Sequence, residues 1–179
     1  LEGLPLTLGD AHTLRGPRQS GKTTLAKRLI QRLLRAGEPR VLYFSFDLHT
    51  NPEAIYDVVR RAKDLHPDPQ GPWYVFLDEV TTVPQWQRGA KIAWDQGLTR
   101  EDFLLLTGSS AHDLKAGSEQ LPGRRGHGSD FLHLPMSFRD FCMQVEGVSL
   151  PSEATDLEGF LSEAGRKLAR RLYPLSADL

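Results

Sequence analysis

Gly16-Pro17-Arg18-Gln19-Ser20-Gly21-Lys22-Thr23 decides the reading of this chain, because its spacing is G-x-x-x-x-G-K-[ST] and it lies between an apolar segment and a helical pattern. Glycines at 16 and 21 let the backbone curl until successive N–H groups point inward, and the oncoming helix adds the positive end of its dipole. The stretch reads as a cradle for nucleotide phosphates made by Gly16, Pro17, Arg18, Gln19, Ser20, Gly21, Lys22, Thr23 and Thr24. In that chemistry Lys22 reaches the β- and γ-phosphates as a mobile charge. The Thr23 hydroxyl ligates the Mg²⁺ that bridges them.

The flanks agree with this. Ala11 to Arg15 supplies a short strand before the loop, and Thr24 to Arg35 places Leu25, Leu29, Ile30 and Leu33 on one helical face. Gly37 and Pro39 end that helix, and Val41 to Phe46 follows as a continuous apolar run, the form of a parallel-sheet strand covered on both sides.

A second signal is Trp73-Tyr-Val-Phe-Leu-Asp78-Glu79, an apolar run ending in two carboxylates. As a strand it delivers acid to a nucleotide site, with Asp78 holding Mg²⁺ through its water shell and Glu79 as the base that orients the attacking water. Alternatively the pair merely opens a solvated loop. Pro84 to Trp94 predicts a helix with Trp86, Ala90 and one of Ala93 or Trp94 facing the sheet, stopped by Gly97. Phe103 to Ser110 reads as another buried strand that runs out into small hydroxyl residues. Thr107 or Ser109 is placed there to hydrogen-bond the attacking water or the γ-phosphate, although Gly and Ser also end ordinary strands. Arg124 and Arg125 lie on a Gly-rich loop before a short strand, Asp130 to Leu134. They fit an arginine finger reaching a neighbouring subunit, a lid within the chain, or a solvated basic turn. Phe138, Phe141 and Val145 have helical spacing that suits core packing. Residues 156–173 read as an amphipathic helix, basic toward its end.

A length of 179 residues suits one domain, or one domain with a small appendage. With 22 basic against 23 acidic residues there is no general affinity for polyanions or membranes, so a nucleic-acid partner requires a local patch. No run has the length of a membrane-spanning helix and the start lacks a charged-then-apolar leader, which predicts a cytoplasmic protein. The opening at Leu1, about fifteen residues before the loop, suggests a trimmed piece of a longer chain. Cys142, the one cysteine, reads as a buried inert thiol, and the scattered histidines predict no structural zinc.

Together these motifs resemble the AAA+ superfamily of P-loop ATPases. More narrowly, "GPRQSGKTTL", "FLDEVTTVPQW", "LLLTGSSAHDL", "LPGRRG" and "LHLPMSFRDF" are similar to prokaryotic AAA-type ATP-binding proteins whose carboxyl half is usually a domain of unknown function. The similarity covers roughly residues 10 to 145. It implies an α/β fold: a three-layer α/β/α P-loop NTPase with a parallel five-stranded sheet of order 5-1-4-3-2 and a short helical carboxyl-terminal extension. It implies a core over 1–135 and an extension over 136–179, either a truncated lid or the start of a second domain. Lys22 and Thr23 become the phosphate and Mg²⁺ contacts, Asp78 the metal-shell acid, Glu79 the base and Thr107 the sensor-like residue, with Ser109 as its rival. Arg124 and Arg125 match the place of the finger arginine. The usual sensor asparagine is absent, the arginine is doubled, and no lid arginine stands out among Arg166, Arg170 and Arg171.

The leading expectation is a Mg²⁺-dependent ATPase, with a homo-oligomer as its candidate assembly, that drives a conformational change in itself or a partner. Whether that partner is protein or DNA is not assigned. Two alternatives stay open: a small-molecule or nucleoside kinase with its acceptor near Asp47 and the 78–83 loop, and a nucleotide-dependent switch that hydrolyses slowly. The chain lacks an Asn-Lys-x-Asp guanine-reading motif, which disfavours GTP.

Overall fold

A computed structural model describes residues 4, 6–67, 71–110, 114–117, 121, 123, 125–137, 140 and 144. Five parallel strands carry the fold: β1 (Ala11–Arg15), β2 (Val41–Ser45), β3 (Tyr74–Asp78), β4 (Phe103–Gly108) and β5 (Asp130–Leu132). Their order in the sheet is β2-β3-β4-β1-β5, which is the expected 5-1-4-3-2 read from the other edge. Three helices, α1 (Lys22–Arg35), α2 (Ala54–Leu65) and α3 (Trp86–Asp95), provide the crossovers that join β1 through β4 in parallel.

Two apolar clusters show why β3 and β4 read as unbroken hydrophobic runs. Val75, Leu77, Leu104 and Leu106 point to one face and pack with Ile55 and Val59 of α2 and with Trp86 and Ala90 of α3. Phe76, Phe103 and Leu105, the alternate residues, point to the other face and pack with Ala26, Leu29 and Leu33 of α1. Period-two side-chain alternation thus feeds both layers at once, and no polar face remains on the central strands.

The sequence reading left α2 unassigned. Its apolar positions include Ala54, Ile55, Val58, Val59 and Ala62, of which Ile55, Val58, Val59 and Ala62 have the i, i+3, i+4, i+7 spacing of a helical face. Two of them, Ile55 and Val59, are fully buried. Helix α3 closes as expected at Gly97, whose N–H donates to Trp94 O at 2.9 Å while Leu98 N–H donates to Ala93 O at 2.8 Å.

One buried ion pair ties the layers together at the far end of the sheet. Asp102, 1% exposed, accepts from Lys63 of α2 at 2.7 Å and from the Trp73 N–H at 2.9 Å, and the same ammonium donates to Leu98 O at 2.6 Å. Asp102→Ala leaves the Lys63 charge and the Trp73 N–H without this acceptor. We expect a loss of about 3 kcal/mol, read as a lower urea midpoint. A loss below about 1 kcal/mol would mean that water replaces the carboxylate.

By internal packing the chain divides into Leu1–Pro135 and Met136–Leu179. Phe138, Phe141, Cys142, Val145 and the helix expected over 156–173 lie outside the described residues, as do the arginines considered for a lid. Among the described residues no helix is long and apolar enough to cross a membrane.

Candidate functional site

Parallel register brings the carboxyl ends of the central strands level. Ser45 pairs with Asp78, Leu77 with Leu106, and Arg15 with Gly108. Because β4 lies between β1 and β3, the loop after Arg15, the acids at the end of β3 and Thr107 near the end of β4 meet at one edge. Ligands of open α/β sheets bind at this edge.

The loop itself has little freedom. A Cβ on Gly16 would lie 2.0 Å from the His133 carbonyl oxygen, so β5 and its continuation force glycine here. Gly21 caps α1 from the left-handed region at φ 99°, which an L side chain rarely adopts, and no side chain caps the helix. The first N–H groups of α1 are therefore not taken by a capping side chain, and they carry the positive end of the helix dipole. Ser20 Oγ is buried without a hydrogen-bond partner among the described residues. Gln19, Gly21, Lys22, Thr23, Thr24 and Glu79 line a cleft there.

Lys22, only 3% exposed, donates to Gly16 O at 3.0 Å and to Pro17 O at 2.9 Å, and lies 3.6 Å from Glu79 Oε1. Thr23 Oγ1 donates to Asp78 Oδ2 at 2.7 Å. Asp78 is buried, and its other oxygen accepts the Thr107 hydroxyl in a short hydrogen bond. Thr107 Oγ1 in turn accepts the Glu79 N–H at 3.1 Å, and Glu79 Oε2 accepts the Ser109 N–H at 2.9 Å. Glu79 itself adopts φ 52°, ψ 40°, a left-handed conformation uncommon for glutamate. That backbone turn separates the two acids: Asp78 stays buried in the strand, while the Glu79 carboxylate reaches the cleft beside Lys22.

Four residues singled out in the sequence, Lys22, Thr23, Asp78 and Glu79, thus stand together. Thr107 joins them in a different posture from the expected one. Its one hydroxyl proton goes to Asp78 and its oxygen to the Glu79 N–H, so it spaces the two acids rather than facing outward. Ser109 contributes through its backbone N–H.

Sequence reasoning missed Tyr43. Its position within an apolar strand run gave no sign of a polar role, yet its hydroxyl donates to Asp78 Oδ2 at 2.9 Å. Burial first, and then the Asp78 carboxylate beside it, push the phenol well above its ordinary pKa.

Arg125 stands apart from this group. Its guanidinium pairs with Asp130 at 2.9 Å and donates to Ala11 O at 3.2 Å. Ala11 opens β1, about 13 Å of strand from Arg15, so Arg125 is at the opposite end of β1 from the loop and does not form a lid over it. The segment around it is strapped to the same end: Ala11 N–H donates to Arg125 O, His127 N–H to Asp10 Oδ1 and Ser129 N–H to His12 Nδ1. Burial by itself would raise the Asp130 carboxyl, but the Thr13 hydroxyl and Arg125 outweigh it and hold it below the usual carboxylate range. Arg124 lies outside the described residues.

The profile of a family described as AAA domain matches residues 9–142. No curated protein matches the chain. Among solved structures, the Aeropyrum pernix ORC2 protein in its ADPNP-ADP complexes is similar with a TM-score of 0.54 and 18% identity, over 79% of this chain and 46% of that one. Its ADP form is similar with a TM-score of 0.52 and 17% identity, over 78% and 46%. The chain therefore spans about half the length of those structures, and identities this low carry the fold alone.

Proposed function

We propose, from the premise that this chain belongs to the AAA domain family and so to the nucleotide-binding P-loop ATPases of the AAA+ superfamily, that it hydrolyses ATP with Mg²⁺ at the edge where residues 16–24 meet Asp78 and Glu79. The observation that carries the reading is the junction of Thr23 with Asp78 at 2.7 Å, beside Lys22 and Glu79 at 3.6 Å.

The residues suit both groups. For phosphate there are the helix start without a side-chain cap, the buried Ser20 hydroxyl with no partner among the described residues and the Lys22 ammonium. For a divalent cation, Thr23 gives its proton to Asp78 and so keeps its oxygen lone pairs for a metal, and Asp78 and Glu79 together outweigh the charge of Lys22. Bound Mg²⁺ supplies charge neutralisation of the phosphates.

Each residue then has a definite task. Lys22 gives up loop carbonyls as hydrogen-bond acceptors in favour of phosphate oxygens. Asp78, fixed by hydroxyl donors, would hold the cation through its water shell, and Thr107 links the Asp78 carboxylate to the Glu79 N–H. Glu79, anchored at one oxygen by Ser109 N–H, accepts the proton of the attacking water at the other. Arg125, held at the opposite end of β1 from the loop, reaches phosphate on a neighbouring copy rather than its own. Arg125 must first leave Asp130.

The energy released is used to change the conformation of this protein or of a partner. We expect phosphate release from ATP and Mg²⁺ without any acceptor, abolished by EDTA, with activity per subunit rising as protein concentration rises. Release that requires an added nucleoside or sugar would instead mark a kinase. Flat, very low turnover would mark a switch.

A further inference from the structure

We propose that Tyr43 is a positioning residue of the cation site, its phenol holding Asp78 Oδ2 in the orientation that nucleotide-bound Mg²⁺ requires. This rests on the ATPase reading above. Three hydroxyls from three different elements converge on one buried carboxylate: Thr23 of α1 and Tyr43 of β2 on Oδ2, and Thr107 of β4 on Oδ1. A carboxylate offers about four acceptor positions, so three donors nearly saturate it and stop it turning about its Cβ–Cγ bond. Their duties differ. Thr23 must also serve the cation through its own oxygen, and Thr107 also receives the Glu79 N–H. Tyr43 has no second hydrogen bond among the described residues, so its hydroxyl is devoted to Asp78.

Strand register makes the reach possible. Tyr43 pairs with Phe76 and Ser45 with Asp78, so the long phenol side chain rises two residues along the face it shares with Asp78 and meets the carboxylate at the strand end. Its ring packs against the cluster beneath α1, and the Lys27 ammonium lies 5.8 Å from the ring centroid. Packing therefore fixes the ring independently of its hydroxyl. Tyr43→Phe removes the bond to Asp78 and keeps the ring.

Without the phenol, Oδ2 is held by Thr23 alone, the same hydroxyl that the cation must use. Partners that orient a metal-site ligand typically change cation affinity by 10–100-fold when removed. The test is equilibrium binding of a fluorescent ADP analogue to the full chain, in EDTA and across a Mg²⁺ titration, with thermal unfolding measured in parallel. Tyr43→Phe is expected to match the wild type within about twofold in EDTA, and to need about tenfold more Mg²⁺ for half of the cation-dependent gain in affinity. Tyr74→Phe, at the opposite end of β3 from Asp78, is expected to leave that Mg²⁺ midpoint unchanged.

A Tyr43→Phe midpoint equal to that of the wild type overturns the proposal, as does an equal loss of affinity in EDTA and in Mg²⁺. Either result leaves the ATPase reading standing. A wild-type chain that binds no nucleotide under any condition overturns that reading, and this inference with it.

Discussion

Lys22→Met is expected to lower ATP and ADP affinity by at least 100-fold while changing the unfolding midpoint little. Lys22 is 3% exposed, and its ammonium makes two hydrogen bonds to loop carbonyls and an ion pair with Glu79. Nucleotide binding exchanges those carbonyls for anionic oxygens, and a hydrogen bond to a charged group is worth about 1.5–3 kcal/mol. Losing two such bonds removes roughly 3–6 kcal/mol, and each 1.4 kcal/mol is a tenfold change in affinity. Methionine keeps the length and volume of the side chain, so the fold loses little packing. Pro17 is exposed, so water replaces the ammonium at its carbonyl, and the loss of a donor to the buried Gly16 carbonyl is offset because a charge no longer has to be buried. Calorimetric titration gives the affinity and thermal unfolding the stability. A loss below about tenfold would show that the helix start and loop N–H groups hold the phosphates without Lys22. A large fall in the midpoint would make the lysine a structural pin instead.

Most of the architecture was legible because the sheet is buried on both faces. The runs at 41–46, 73–78 and 103–108 carry no polar alternation, which is what helices on either side of a parallel sheet impose. The Gly16–Thr23 spacing and the acidic pair pointed to one edge of that sheet as the candidate site, since each feature restricts what the backbone and charge at that edge can do. What stayed hidden depends on through-space direction. Tyr43 looks like any aromatic in a strand, and only register shows that its hydroxyl reaches a carboxylate two residues farther along a neighbouring strand. Thr107 was found by its place at a strand end, but a hydroxyl rotates freely, and sequence does not tell which acceptor takes its proton. Arg125 was noticed for its charge. Its pairing with Asp130, five residues away, depends on how the intervening turn folds back onto β1. Helix α2 was legible in the i, i+3, i+4, i+7 spacing of Ile55, Val58, Val59 and Ala62, a pattern the sequence reading passed over.

Glu79→Gln is expected to bind ATP at least as tightly as the wild type and to turn it over 100-fold to 10,000-fold more slowly, the range that general-base catalysis contributes. Glutamine nearly matches glutamate in shape, and its amide oxygen still accepts the Ser109 N–H that anchors Oε2 at 2.9 Å. It tolerates the φ 52° backbone about as well, so no new strain arises. What disappears is the basic lone pair and one negative charge. With Lys22 positive and Asp78 and Glu79 negative, the cluster carries one net negative charge. The substitution brings it to zero and removes repulsion of anionic phosphates. Loss of the 3.6 Å ion pair also frees the Lys22 ammonium for nucleotide. Affinity should therefore hold or improve while the chemical step fails, so kcat falls and KM does not rise. Single-turnover hydrolysis with parallel equilibrium binding separates the two effects. Equal turnover in wild type and Glu79→Gln would remove Glu79 as the base and leave the cluster a binding site alone. A parallel collapse of binding and turnover would show instead that the charge of Glu79 holds the cation.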